Sequence, residues 1–206
     1  MINILKLKTI INKERIYKRL HITEGTEAFK NADSAFDELI RIIAENMKLT
    51  AIYLTTYSLD ISFEKHEKYE KYIICFVSSD DDISEISNEM ISSGNYMRGY
   101  LLHEIALDVI FNTSNEMDKT IREEAAKNGY KLSRRYAPGD GAINLDLQKK
   151  LLDILKKEAD IKAYLNEAQV LIPEKSLLYM FGLTRASGAE EFNECSLCEN
   201  IDCLYR

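Results

Sequence analysis

The chain has 206 residues and a formal net charge of −7 at neutral pH. That length can bury a substantial core, and one domain over residues 1–206 is expected because no repeat or low-complexity linker divides it. The acidic balance argues against a broad nucleic-acid footprint, which needs Lys and Arg concentrated on one face, and no apolar run approaches the roughly 18 residues that a membrane-spanning helix requires.

The N-terminal stretch "MINILKLKTIINKERIYKRL" carries lysines but neither a continuous apolar segment nor a small-residue cleavage site, so no secretion signal is read and a cytoplasmic protein is expected. "INKERIYKRLHI" (11–22) places Ile11, Ile16 and Leu20 on one face of a short helix. A clearer helix is predicted over 34–48, where Phe36, Leu39, Ile40, Ile43 and Met47 keep the helical period and Ser34 can cap it. "AIYLTTYSLDISF" (51–63) and "KYIICFVSS" (71–79) are rich in β-branched and aromatic residues and read as strands. The acidic cluster opening "DDDISEISNEMISSG" suits a helix N-terminus, where carboxylates complement exposed amides.

After Gly94 a long amphipathic helix is predicted from Tyr96 to Lys127, stopped by Gly129, with its Met and Tyr residues in the core. Another covers Leu145 to Lys157, and short strands fall near "AYLNEAQVL" and "SLLYMFGLT". Helices and strands in this order, without strict alternation, indicate an α+β domain. His21, His66 and His103 are scattered and read as structural or exposed.

Two segments carry candidate chemistry. In "SRRYAPGDG" (133–141), Pro138 fixes its own backbone and pushes Ala137 toward an extended conformation, while Gly139 and Gly141 permit angles forbidden to side chains. This makes a stiff bend against which a ligand can lie, with Arg134 or Arg135 able to pair with a carboxylate; the alternative is a turn with solvated arginines. In the tail, Cys195, Cys198 and Cys203 have a spacing that suits a soft metal such as zinc or an iron–sulfur cluster. Three ligands are incomplete, and Cys75 would be the fourth if the fold brought it near. Reduced buried cysteines or a disulfide are the alternatives.

The run "REEAAKNGYKLSRRYAPGDG", "LDLQKKLLDIL", "YLNEAQVLIPEKSLLYMFGLT" and "CSLCENIDCLYR" resembles the activation domain of cobalamin-dependent methionine synthase, and in particular small stand-alone proteins related to it. The resemblance covers residues 96–206 and is vague over 1–95. It implies a mixed or antiparallel twisted sheet flanked by helices. It also implies S-adenosylmethionine as ligand, bound at an Arg-x-x-x-Gly-Tyr signature whose first five positions match Arg135 to Gly139. In that reading Arg135 holds the ligand's carboxylate, the backbone of Tyr136, Ala137, Pro138 and Gly139 meets its adenosine portion, and Asp108 faces its amino group. Asp140 stands where the family has tyrosine, which either attracts the sulfonium or signals a different ligand.

The implied role is that of an accessory protein in reductive remethylation of cobalamin. The cobalamin itself would sit on a partner, a methionine synthase or other corrinoid protein, with electrons from a flavodoxin-type donor. The other function classes are a cysteine-ligated cluster protein that reduces the corrinoid partner itself, and a corrinoid-protein binding module without ligand.

Overall fold

A computed structural model describes residues 2–57, 59, 69–79, 82–140 and 143–185. Its elements, in chain order, are β1 (Ile2–Leu5), α1 (Lys13–Arg19), α2 (Glu27–Asn46), β2 (Leu49–Thr56), β3 (Lys71–Ser79), α3 (Asp82–Ser92), α4 (Tyr96–Lys127), β4 (Lys131–Leu132), α5 (Leu147–Glu158), β5 (Tyr164–Leu165), β6 (Leu171–Ile172) and β7 (Ser176–Thr184). The α+β expectation holds. The main sheet has the order β1-β2-β3-β7-β4 with every neighbouring pair antiparallel, and β5 and β6 form a separate small hairpin.

Each face of the sheet is covered. On one side Ile52, Leu54, Ile74, Phe76 and Met180 pack against Leu151, Leu152 and Leu155 of α5. On the other, Tyr53, Ile73, Cys75, Tyr179 and Phe181 meet Met117, Ile121 and Ala125 from the second half of α4. Strand residues buried on alternate faces in this way explain why β3 and β7 read as nearly unbroken apolar runs. The first half of α4 leaves the sheet and joins α1, α2 and α3 in a helical layer, where Leu101, Leu102, Ile105 and Val109 meet Ile16, Phe36, Leu39 and Ile83.

Two local departures from the expected elements have clear causes. Helix α2 begins seven residues before Ser34, because Thr26 accepts from the Phe29 amide at 3.1 Å and nothing in the following turn breaks the helix. Ser34 instead sits inside it, donating to the Asn31 carbonyl. Tyr96 and Tyr100 of α4 are exposed, the core stripe being carried by Leu101, Leu102 and Ile105.

The crossing of α3 and α4 is unusually close. Ser87 Oγ donates to the Gly99 carbonyl at 2.9 Å, and a Cβ on Gly99 would lie 2.6 Å from Ile91 Cγ1 and 2.8 Å from the Ser87 carbonyl oxygen.

A second buried polar contact ties the sheet to the helical layer. Lys175, just before β7, is buried with Nζ 3.3 Å from Ser84 Oγ and 3.1 Å from His103 Nδ1. Burial, and then the Lys175 charge, push the His103 imidazole below its ordinary value of 6.5, against smaller opposing contributions from Glu104 and Glu174. The unfolded chain therefore binds a proton at His103 that the folded chain refuses, and stability falls as pH drops below 6.5 toward the depressed folded value. Urea midpoints measured from pH 7.5 down to about 5 are expected to fall more steeply for the native chain than for His103→Gln.

Candidate functional site

The bend singled out in the sequence lies at the edge of the main sheet. After β4 the chain continues alongside β7: the Ser133 amide donates to the Gly182 carbonyl, and Ser133 Oγ accepts from the Gly182 amide at 2.8 Å. Tyr136 exchanges both backbone hydrogen bonds with Met180, each at 2.9 Å. In an antiparallel pair of this kind the flanking residues turn their amides and carbonyls the other way, so the backbone of Arg135 and Ala137 faces off the sheet edge.

The bend itself is a turn built by its residue types. The Asp140 amide donates to the Ala137 carbonyl at 3.1 Å, with Pro138 at the second position and Gly139 at the third with φ +85°. Proline followed by a positive-φ glycine is the type II pattern. The Gly139 amide then donates to the Ile143 carbonyl, and Ile143 to Asp140, which returns the chain toward α5. Asp140 is exposed.

Side chains alternate across this edge. Arg135 turns toward α4, where it forms an ion pair with Asp118, both largely buried, and its guanidinium lies 4.1 Å over the Tyr179 ring. Tyr179 in turn donates to Asp118 Oδ1 at 2.7 Å, so the carboxylate is held by two partners on the underside of the sheet. Burial raises the Tyr179 phenol well above its ordinary value, so it remains a donor.

Tyr136 turns the other way, toward α5. Its hydroxyl meets that of Tyr69 at 2.7 Å, Tyr69 meets Tyr72 edge-on, and Arg134 lies 5.0 Å over the Tyr136 ring. The Tyr69 ring rests on Gly182, where a Cβ would come within 2.2 Å of it. The edge segment is thus flanked by a charged pair on one side and a tyrosine deck on the other.

Other residues singled out in the sequence fall elsewhere. Asp108 is fully buried, and its carboxylate takes three donors: the Asn12 amide at 2.8 Å, Arg15 Nε at 2.7 Å and Asn112 Nδ2 at 2.9 Å. It pins α1 to α4. Ten residues separate it from Asp118, about 15 Å along the helix axis, so it is Asp118 and not Asp108 that stands beside Arg135.

Cys75 is fully buried in β3, opposite Tyr179, and burial pushes its thiol well up, away from the thiolate that a metal would need. Cys195, Cys198 and Cys203 lie outside the described residues. Among the described residues there is no group of three or more His, Cys, Asp or Glu that could hold a metal ion.

Asp118, Tyr179 and Tyr69 were not singled out in the sequence. A signal existed for the first: Ser114, Asp118, Ile121 and Ala125 recur at helical spacing, and an acid inside an otherwise sheltered stripe calls for a buried partner.

No family model matches the sequence, and no curated protein does. Among solved structures the chain is similar to a crystal structure of the MetH reactivation domain bound to AdoHcy, at 13% identity and a TM-score of 0.59, over 86% of this chain and 71% of that one. The likeness is one of fold. It spans most of the chain, and so bears out the α+β reading. No helix among the described residues is long and apolar enough to cross a membrane.

Proposed function

We propose that this chain binds S-adenosylmethionine along the sheet edge at Arg135 to Asp140, and serves as an accessory protein in the reductive remethylation of a cobalamin carried by a partner corrinoid protein. The observation that carries the reading is the sheet-edge turn at Ala137 to Asp140, set between the Arg135–Asp118 pair and a tyrosine deck, in a fold similar to a domain bound to AdoHcy. A planar base can lie against such an edge and take backbone hydrogen bonds there, as Gly139 leaves room for close approach. The five donors of the Arg135 guanidinium would serve a ligand carboxylate together with Asp118. Asp140, exposed at the end of the turn, would supply a negative charge for the ligand's sulfonium.

In this reading the partner supplies cobalamin, a flavodoxin-type donor supplies the electron, and this chain supplies the methyl donor in a fixed position. The chemistry at cobalt then belongs to the partner, and the task of these residues is to bind and orient.

Calorimetric titration with S-adenosylhomocysteine and S-adenosylmethionine tests the ligand. Saturable binding is expected, weakened about tenfold or more in Arg135→Lys, which keeps the charge beside Asp118 but loses the planar fork. Asp140→Tyr, a change at an exposed position, is expected to retain or tighten binding to S-adenosylhomocysteine, which carries no sulfonium charge. Absence of binding in both the native chain and Asp140→Tyr would overturn the assignment.

A further inference from the structure

A separate cavity of about 350 Å³ opens on the α4 face of the sheet, beyond the Arg135–Asp118 pair and toward the C-terminal end of α4. Glu124, in its wall, is six residues past Asp118, about 9 Å along the helix. The floor is apolar, made by Ile73, Ile121, Ala125 and Leu183. Around it stand Tyr53, Tyr57 and Tyr130, with Lys71 at the rim. The volume lies within the range of small-molecule pockets, and so does the composition, an apolar floor with a few convergent polar groups.

The charges at this cavity are arranged for an anion. Lys71 Nζ lies 5.1 Å from the centre of the Tyr57 ring and 4.6 Å from that of Tyr130, and the Arg185 guanidinium lies 4.2 Å from the Tyr130 ring. The aromatic faces are therefore already supplied with cations, and a cationic ligand would have to expel them. A hydrogen bond to Tyr130 holds the Lys71 amine above its ordinary value, so it stays charged. Lys71 at the rim, with Arg185 sharing the Tyr130 ring, gives this part of a chain of net charge −7 a positive edge, set against Glu124 in the wall and Glu70, which accepts from the Arg185 amide.

The opposite wall is an acceptor. Tyr53 donates to Glu124 Oε2 at 2.5 Å, and burial, followed by the Glu124 hydrogen bond, raises the Tyr53 phenol far above its usual range. Tyr53 thus remains protonated and fixes one carboxylate oxygen, while Oε1 has no hydrogen-bond partner among the described residues.

We propose that this cavity binds a planar anionic ligand of mononucleotide size, its ring lying on the apolar floor, an exocyclic amino group donating to Glu124, and its anion paired with Lys71, which Tyr57 and Tyr130 hold in place. The site shares none of the residues assigned to the sheet-edge ligand and stands independently of it.

Adenosine monophosphate is the probe, titrated calorimetrically into the full chain. Saturable binding with a Kd at or below about 1 mM is expected, weakened about tenfold by Lys71→Gln and by Tyr57→Ala. Tyr57 is 76% exposed, so its replacement leaves the core intact. Saturating S-adenosylhomocysteine is expected to leave the nucleotide isotherm unchanged. The proposal is overturned if the nucleotide gives no saturable heat, if both variants bind as the native chain does, if S-adenosylhomocysteine displaces the nucleotide, or if inorganic phosphate binds as tightly as the nucleotide.

Discussion

Replacing Asp108 with alanine is expected to destabilise the chain by about 3–5 kcal/mol, the usual cost of breaking a buried ion pair from one side. The carboxylate is wholly excluded from solvent, and its partner Arg15 is only 16% exposed. Removing it takes the carboxylate from the Arg15 guanidinium, which keeps its hydrogen bond to Asn112 Oδ1, and also leaves the Asn12 amide, at the start of α1, without its acceptor. Asp108→Asn is the informative companion, since it keeps the shape and one acceptor oxygen but not the charge, and a smaller loss is expected. Equilibrium urea denaturation of both variants measures the difference. If Asp108 faced a ligand instead, Asp108→Ala would leave the urea midpoint unchanged and alter only binding.

Gly99→Ala is expected to be nearly as costly, although alanine is the better helix former by about 1 kcal/mol. The added methyl would lie 2.8 Å from a backbone oxygen on α3 as well as 2.6 Å from Ile91. Side chains can rotate away, but the Ser87 carbonyl moves only if α3 moves, which also opens the Ser87 to Gly99 hydrogen bond. A net loss of about 3 kcal/mol is expected from overpacking and the lost bond together. The thermal midpoint of Gly99→Ala against that of Gly94→Ala, where a Cβ meets nothing within 4 Å, separates clash from backbone strain, because Gly94 is the one of the two with positive φ.

Much of this architecture was legible where local signals agree. The strands at 71–79 and 176–184 and the helix at 96–127 have the bounds expected of them, because β-branched runs, glycine stops and helical periodicity point the same way. Strands β1 and β4 were missed because they have only four and two residues and exist through pairing with distant partners, β1 with β2 and β4 with β7. Pairing of that kind leaves no periodicity to read.

The bend at 137–140 was legible as stiff, from Pro138 and Gly139, but its place at the sheet edge was not, because that depends on Tyr136 finding Met180. Asp108 shows the same limit. The resemblance pointed it at a ligand's amino group; its actual partners were decided by α1, nearly a hundred residues earlier.

Helix α4, about 48 Å long at 1.5 Å per residue, gives the chain a property that its two layers would not have separately. Its first half is sheathed by α1, α2 and α3, and its second half by the sheet. The family resemblance becomes clear only at residue 96, yet a fragment cut there would lose α1, α2 and α3 together with β1, β2 and β3, baring the apolar stripe Leu101, Leu102, Ile105 and Val109 along one half of α4 and taking Tyr53, Ile73 and Cys75 from Met117 and Ile121 along the other. Such a stripe on a soluble fragment invites self-association. The elements before residue 96 are therefore what keeps the helix that supports the candidate site covered along its whole length.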